Sequence, residues 1–294
     1  KETTMDLSAP GVFVFLDNLS GPELSPFARK VESLGYGVLW YTEGVGRESL
    51  SLGTYLLTQT ERIVVGSGIA VAFCREPIAA ANAARALSEL FPGRFILGLG
   101  VSNAAGNARR GVGYEPPVTF MRNYLARMKT APYEAPAPPA ETPVVLGSLH
   151  PKMIALAASE TAGVLTYLTS PEKTAQIRAA IGPRKWLCAA QPVLLERDPG
   201  RARAAARAYM SFYLRIPHYA TMLATVGYGP KDFADGGSDR LIDAIVAWGP
   251  EDAVRARLAA HRAAGADHVC ILPLSSDGSL RPDARVLEAL APRR

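Results

Sequence analysis

The chain has 294 residues, of which 48% are hydrophobic and 20% are charged, and its formal net charge is +5. A chain with this much apolar material can bury a sizeable core, so it is expected to be globular rather than disordered. It contains no basic run interleaved with aromatic residues and no apolar run of the about 20 residues that span a membrane. Neither nucleic acid nor a membrane is therefore an expected partner.

The three cysteines, Cys74, Cys188 and Cys270, are widely separated in the sequence. Their odd number argues against a disulfide framework, and the absence of a Cys/His cluster argues against a metal site. The stretch before Pro10 lacks the apolar core of a secretory signal. These features favour a reduced, cytoplasmic protein.

Short apolar runs alternate with longer helical patterns along the chain. Predicted strands cover residues 12–16, 38–41, 63–67, 94–100, 144–146, 164–167, 187–195 and 268–272. Predicted helices cover residues 24–34, 50–60, 77–90, 118–129, 151–162, 171–181, 201–214, 250–264 and 283–290. Strands that are apolar throughout and alternate with helices indicate an α/β protein whose parallel sheet is covered by helices.

Two segments interrupt this rhythm. Residues 101–117 are predicted to form a polar, glycine-rich loop, and residues 216–248 an insertion before the last strand. Eight strand–helix units within one chain of this length predict a single (β/α)8 TIM-barrel domain over residues 1–294. The alternative is an open doubly wound sheet, which the missing GxGxxG motif after the first strand disfavours.

The carboxyl ends of barrel strands meet at one mouth, where barrel enzymes place their active sites. Asp17 ends the first predicted strand, and its carboxylate is interpreted either as a hydrogen-bonding or proton-handling group or as a turn residue. Glu43 ends the second strand and is open to the same functional interpretation, but a structural salt bridge to a neighbouring loop is favoured. Two neighbouring arginines, Arg109 and Arg110, either clamp an anion or belong to a solvated loop.

Glycines and a helix start supply further candidates. The run Gly66–Gly68 lies within the third strand, where it permits either a bulge or close approach of a ligand, or close helix–strand packing. Residues 147–152 open a helix after the fifth strand, so backbone N–H groups, the Ser148 hydroxyl, His150 and Lys152 could together bind an anion. The alternative is that Ser148 is a plain helix cap.

Two further histidines are assigned structural positions. His261 lies on a helix rich in Arg and Ala and is predicted to be at the surface, whereas His268 begins a buried strand and is predicted to be a hydrogen-bonded core residue. Neither belongs to an HExxH motif, and no GxSxG motif of a serine hydrolase is present.

Several segments together resemble the bacterial luciferase-like oxidoreductases. The resemblance is carried by GYGVLW at residues 35–40 with Glu43, by TERIVVGSGI at 60–69, and by LFPGRFILGLG at 90–100. Phe91 and Pro92 replace a small polar pair of the family pattern. Residues 238–249 and 264–269 are similar to a deazaflavin-dependent subgroup found in actinobacteria.

This resemblance implies a flavin or deazaflavin ring at the mouth of the barrel. It places the ring against Gly68, Ile69 and Ala70, with a non-proline cis peptide at Gly68–Ile69 or one bond to either side. It makes Asp17 a ring contact, and it gives phosphate binding to Gly147, Ser148 and the helix that carries His150 and Lys152.

The resemblance also implies a reaction, which is hydride transfer between coenzyme F420 and a small organic substrate. Asn103 stands where some relatives carry a catalytic Glu, so it could orient a substrate but could not donate a carboxylic proton. Tyr219 and Tyr228 of the insertion are expected to shape the substrate pocket, and a homodimer is expected. The alternatives are an FMN-dependent monooxygenase and a barrel that has lost catalysis and binds a cofactor or partner.

Overall fold

The computed structural model describes residues 5–293, in which a parallel sheet closes on itself. The strands of the closed barrel are β1 Gly11–Val14, β2 Val38–Tyr41, β3 Val64–Ser67, β5 Phe95–Gly100, β6 Val144–Gly147, β7 Gly163–Tyr167, β8 Trp186–Leu194 and β10 His268–Pro273. Closure is complete because β10 pairs with both β1 and β8. The two remaining strands have two residues each: β4 Ala70–Val71 extends the sheet beside β5, and β9 Ala247–Trp248 pairs with the end of β8.

Helices surround this barrel. Their bounds are α1 Gly21–Ser33, α2 Ser49–Gln59, α3 Pro77–Leu90, α4 Ala104–Arg109, α5 Pro117–Lys129, α6 Pro151–Glu160, α7 Pro171–Ile181, α8 Pro199–Leu214, α9 Pro217–Ala224, α10 Pro230–Phe233, α11 Asp239–Ile245, α12 Glu251–Ala263 and α13 Ala284–Ala289. Many of them begin with proline in the first turn, where the missing N–H breaks no hydrogen bond. None in the described residues is both long and apolar enough to cross a membrane.

The inside of the barrel is a packed core. Trp40 is fully buried there, and Gly66 gives it room, since a β-carbon on Gly66 would come within 2.6 Å of its ring. A β-carbon on Gly98 would lie 1.9 Å from the Ser67 carbonyl oxygen. Gly66 therefore makes room for a side chain of the neighbouring strand β2, which is strand–strand packing rather than the helix–strand packing that the sequence suggested.

The predicted barrel is confirmed, and the structure adds local detail to three of the predicted segments. The first strand ends at Val14 rather than Leu16, because the chain turns into a short 3-10 helix over Leu16–Asn18. The segment predicted as a loop over residues 101–117 contains α4. The insertion before the last strand consists of α9, α10, α11 and β9.

The prediction that His261 lies at the surface is wrong. Its ring is fully buried, with Nδ1 2.8 Å from Thr174 Oγ1 and Nε2 2.8 Å from Gln191 Oε1. The arginines of α12 leave one face of the helix free to pack on α7 and β8, and His261 lies on that face. His268 is buried as predicted, but among residues 5–293 a hydrogen-bond partner is found only for its Nδ1, the Leu7 carbonyl at 3.1 Å.

Acid should destabilise the fold through His261. Burial lowers the pKa of this ring to about 4, below the ordinary value of 6.5. Between these values the unfolded chain binds a proton that the folded chain does not, so stability falls as pH drops through this window. We expect this residue to account for a loss of about 1 kcal/mol between pH 6.5 and 5.5, since the unfolded ring is already half protonated at pH 6.5. Urea unfolding at pH 6.5 and 5.5 measures it, and H261Q should show a smaller loss; an equal loss would contradict the assignment.

Candidate functional site

The floor of the mouth is formed where β1, β3 and β7 end. Gly68 lies directly on Phe13, because a β-carbon on Gly68 would come within 2.6 Å of that ring and 3.3 Å of Leu165. Phe13 also packs on Tyr167, with ring centroids 5.3 Å apart. The floor is therefore largely apolar and aromatic, a surface on which a flat ring could stack.

Two glycines make room for the side chain of Ile69. A β-carbon on Gly100 would lie 2.6 Å from Ile69 Cγ1, and one on Gly147 would lie 2.8 Å from Ile69 Cγ2. The peptide bond between Gly68 and Ile69 is cis, as the family resemblance implies. Residues 68–70 and residue 147, predicted separately as cofactor contacts, are thus neighbours at this mouth.

Glu43 anchors the segment that follows Ile69. Its carboxylate accepts hydrogen bonds from the Val71 N–H at 2.5 Å and the Ser49 N–H at 3.1 Å, and it pairs with Arg75. The side chains of Glu43 and Arg75 are only 7% and 9% exposed. Arg75 also donates to the Val71 carbonyl at 2.7 Å. The interpretation of Glu43 as a structural salt bridge is confirmed, and its partner is Arg75.

Asp17 lies against the loop that follows β2. Its carboxylate accepts from the Arg47 N–H at 3.1 Å and lies 3.7 Å from the Arg47 guanidinium. A β-carbon on Gly46 would come within 2.3 Å of it. Through these contacts Asp17 stabilises the loop after β2. A contact between Asp17 and a cofactor ring stays a prediction.

The loop after β5 is also braced. The Asn103 side chain caps α4, its Oδ1 accepting from the Gly106 N–H at 2.8 Å. Arg110 donates to the carbonyl oxygens of Glu43 and Gly44 at 3.1 and 3.0 Å, whereas Arg109 is exposed. Arg110 thereby joins two mouth loops. A catalytic role for Asn103 stays a prediction, since its carbonyl oxygen is already used by the helix.

The start of α6 has an unsatisfied hydroxyl. Ser148 is 2% exposed, and its Oγ has no hydrogen-bond partner among the described residues. Its backbone N–H donates to the Leu165 carbonyl at 3.1 Å. The N-cap residue of α6 is His150, so Ser148 is not the cap of this helix. Lys152, in the first turn of α6, is exposed. A buried hydroxyl without a partner is costly, and a bound group that satisfies it would remove that cost.

His150 connects this helix start to the insertion. Its Nε2 lies 3.0 Å from the His218 carbonyl oxygen at the beginning of α9. Burial, and to a smaller extent electrostatic repulsion from the nearby His150 ring, lowers the pKa of His218 to about 4. The His218 ring is therefore neutral at neutral pH. The insertion is therefore attached to the mouth at the segment predicted to bind phosphate.

Sequence reasoning missed a cluster of tyrosines beside the floor. The Tyr167 hydroxyl is hydrogen-bonded to those of Tyr209 and Tyr213 on α8. Tyr219 packs edge-on against Tyr213, with ring centroids 5.1 Å apart, whereas Tyr228 instead stacks under Arg240. A tyrosine at the end of a predicted strand, followed by two tyrosines one helical turn apart, is the signal that could have indicated the cluster.

Apart from Lys152, which is exposed, the predicted site residues thus fall into two groups. Gly68, Ile69, Ala70, Gly147 and Ser148 lie together on the β3–β6 side of the mouth, with His150 beside them. Asp17 and Asn103 lie outside this group, and their side chains stabilise the segments after β2 and β5. Among residues 5–293, no three His, Cys, Asp or Glu side chains are placed to hold a metal ion.

Comparisons with known proteins identify the family. The model of the luciferase-like monooxygenase family matches residues 16–268. A 5,10-methylenetetrahydromethanopterin reductase of Methanolobus tindarius is 24% identical over 279 residues, covering 80% of this chain and 85% of that protein.

Two solved structures share the fold. The coenzyme F420-dependent tetrahydromethanopterin reductase of Methanopyrus kandleri superimposes with a TM-score of 0.74 at 18% identity, over 97% of both chains. The oxygenating constituent of 3,6-diketocamphane monooxygenase from Pseudomonas putida, in complex with FMN, gives 0.71 at 14% identity, over 97% of this chain and 96% of that one. With the barrel, the Gly68–Ala70 segment and a family match over most of its length, the chain belongs to the luciferase-like monooxygenase family.

Proposed function

We propose that the protein is an oxidoreductase that transfers hydride between coenzyme F420 and a small organic substrate. The buried, unpartnered Ser148 hydroxyl beside the Ile69 segment is the observation that carries the proposal. Family membership and the reductases of similar sequence and fold support it.

The residues present fit a deazaflavin. Gly68, Ile69 and Ala70 would support the ring from below, with Phe13 beneath Gly68. Ser148 and the first turn of α6 would hold the phosphate, since the N-terminus of a helix favours an anion and the hydroxyl lacks a partner. Lys152 would add positive charge there.

The cofactor would supply the hydride chemistry. The protein would orient the cofactor relative to the substrate and exclude water from the site. Glu43 and Arg75 fix the ring-supporting segment, so the ring would meet a surface that is already in place. The aromatic floor would keep water from the face that rests on it.

An anaerobic assay tests the proposal. Reduced coenzyme F420 is incubated with the protein and a panel of small carbonyl, imine and alkene compounds, and the return of the oxidised chromophore is followed. We expect turnover with at least one class and no dependence on oxygen. Turnover only with reduced FMN and with oxygen consumed would instead establish the monooxygenase alternative, which the FMN-bound structural relative favours.

Replacement of Ser148 by Ala separates cofactor binding from folding. Because the hydroxyl is buried without a partner, its removal should leave the Tm of the protein without cofactor unchanged or raised. Loss of a hydrogen bond to a charged phosphate should weaken coenzyme F420 binding by roughly tenfold or more, from about 1.5–3 kcal/mol. S33A, at an exposed serine of α1, is the control. A lower Tm with unchanged affinity would assign Ser148 a purely structural role.

The side chains of Asp17 and Asn103 already accept hydrogen bonds from backbone N–H groups of the chain itself. This favours the third possibility, a barrel that binds its cofactor without catalysis. Cofactor binding without turnover across the panel would support it. We take residues 1–294 as one functional domain acting in the cytoplasm as a homodimer, and sedimentation velocity of the full chain tests the oligomeric state.

A further inference from the structure

A small hollow lies at the mouth between the ends of β1 and β10, and the proposed function does not use it. Its volume is about 10 Å³, which is room for about one group of the size of a water molecule. Phe13 and Phe15 form its β1 side, and Leu272 and Leu274 form its β10 side. Leu280, from the loop that follows β10, completes the wall. The hollow is therefore enclosed by large apolar side chains from three segments.

The hollow lies on the inner side of the barrel wall. Phe13 and Leu272 belong to the buried cluster around Trp40, which fills the inside of the barrel, and Leu274 belongs to it as well. Phe13 is also the ring on which Gly68 lies, since a β-carbon on Gly68 would come within 2.6 Å of it. Phe13 therefore borders both the hollow and the segment that would support the cofactor ring.

Leu280 lies between the hollow and solvent, because it lines the hollow and is nevertheless 49% exposed. Its carbonyl oxygen accepts a hydrogen bond from Asn18 Nδ2 at 3.3 Å. The next residue, Arg281, donates to the Asn18 carbonyl at 2.9 Å and pairs with Glu23. These contacts fix the backbone of the loop to the segment after β1. The half-exposed side chain of Leu280 is thus the part of the wall that is free to change rotamer.

The chemistry of the wall selects the occupant. Among the described residues that line the hollow none is charged, and Ser279 has the one polar side chain. A charged group placed there would lose its hydration without gaining a counter-charge. An apolar cavity holds apolar atoms in preference to water, and this one has space for about one small group. The end of an unbranched alkyl chain therefore fits the hollow, whereas an alicyclic ring exceeds it.

We propose that this hollow binds the unbranched apolar end of an uncharged substrate, and that Leu280 limits how large this end can be. The assignment to a substrate rests on the proposed function and deepens it, because it names the substrate class as small uncharged compounds with a methyl-terminated chain. Since Phe13 borders both places, the substrate would lie with this end in the hollow and with its reacting carbon toward the Gly68–Ala70 segment. The binding itself needs no cofactor.

Binding of 2-pentanone and cyclopentanone to the whole protein without cofactor tests the proposal. Both probes are neutral five-carbon ketones, but only 2-pentanone has an unbranched, methyl-terminated chain. NMR of protein labelled with carbon-13 in its leucine methyl groups gives the affinities, and nuclear Overhauser contacts to the methyl groups of Leu272 and Leu274 locate the bound probe. We expect 2-pentanone to show these contacts and to bind about tenfold more tightly, which is the usual discrimination of an apolar pocket for one fitting methylene.

L280A should enlarge the hollow, so that cyclopentanone binds about as tightly as 2-pentanone. L280F should fill the hollow and weaken 2-pentanone binding about tenfold. V45A, at an exposed valine of another mouth loop, is the control and should change neither affinity. R281Q keeps Leu280 but removes the ties of its loop to Asn18 and Glu23, so it should relax the selectivity in the same direction as L280A. Melting curves identify any Leu280 variant that fails to fold, and R281Q then decides.

Equal affinities of the unaltered protein for the two ketones, no binding of 2-pentanone, or contacts of the probe away from Leu272 and Leu274 would each overturn the proposal. Unchanged selectivity in L280A would overturn the part that Leu280 plays in it. Binding of coenzyme F420 to the unaltered protein is measured separately. If F420 does not bind while 2-pentanone binds in the hollow as expected, the proposed function alone is overturned, since the ketone result does not depend on the cofactor.

Discussion

Replacement of Glu43 by Ala should lower the free energy of unfolding by about 3 kcal/mol, the lower end of the usual cost of breaking a buried ion pair. The substitution leaves the Arg75 guanidinium, whose side chain is 9% exposed, with only the half-exposed Glu48 as an ion-pair partner, and it removes the acceptor of the Val71 and Ser49 N–H groups. Urea unfolding at neutral pH measures the change.

Two further variants make this prediction specific. E61A removes an exposed carboxylate whose pair with Arg62 lies in solvent, so no measurable change is expected. The double variant E43L/R75M leaves no unpaired buried charge and should recover part of the lost stability. A loss no larger in E43A than in E61A would mean that the Glu43–Arg75 pair does not anchor the segment after Ile69.

Replacement of Gly100 by Val should weaken coenzyme F420 binding about 10- to 100-fold, because overpacking of a filled site costs about 1–3 kcal/mol. A β-carbon at this position would lie 2.6, 2.8 and 3.3 Å from three carbons of Ile69. Gly147 packs against the other side of the Ile69 side chain. We therefore expect the added valine to push this side chain toward the mouth, where the ring would lie.

The matched control is G113V, since a β-carbon on Gly113 would meet nothing within 4 Å. Its affinity for coenzyme F420 should be unchanged. The double variant G100V/I69A should regain most of the binding, because the smaller side chain at position 69 restores the lost space. If the double variant does not regain binding, the effect of G100V on cofactor affinity is not caused by displacement of Ile69.

The barrel could be predicted from the sequence because its evidence is local. Apolar strand runs, proline-started helices and glycine stops each lie within a few residues, and eight repeats of that pattern leave few architectures. The cis peptide bond at Gly68–Ile69 could be predicted only from the family resemblance, since no local sequence pattern distinguishes this bond from its neighbours.

What could not be predicted depends on contacts between residues far apart in the chain. Glu43 was interpreted as a salt bridge, but Arg75 lies 32 positions away and nothing in the sequence pairs the two. His261 was misplaced because its helix is rich in arginine, although its partners Thr174 and Gln191 come from other elements. The tyrosine cluster likewise joins β7 to a helix some forty positions later.

Titration of the purified protein with coenzyme F420 and, separately, with FMN shows which of the two cofactors the barrel binds. Intrinsic Trp and Tyr fluorescence reports binding, and the floor of the mouth contains Tyr167 close to the expected ring. We expect saturable micromolar binding of the deazaflavin and markedly weaker binding of FMN. Tighter binding of FMN, or binding of neither compound, would contradict it.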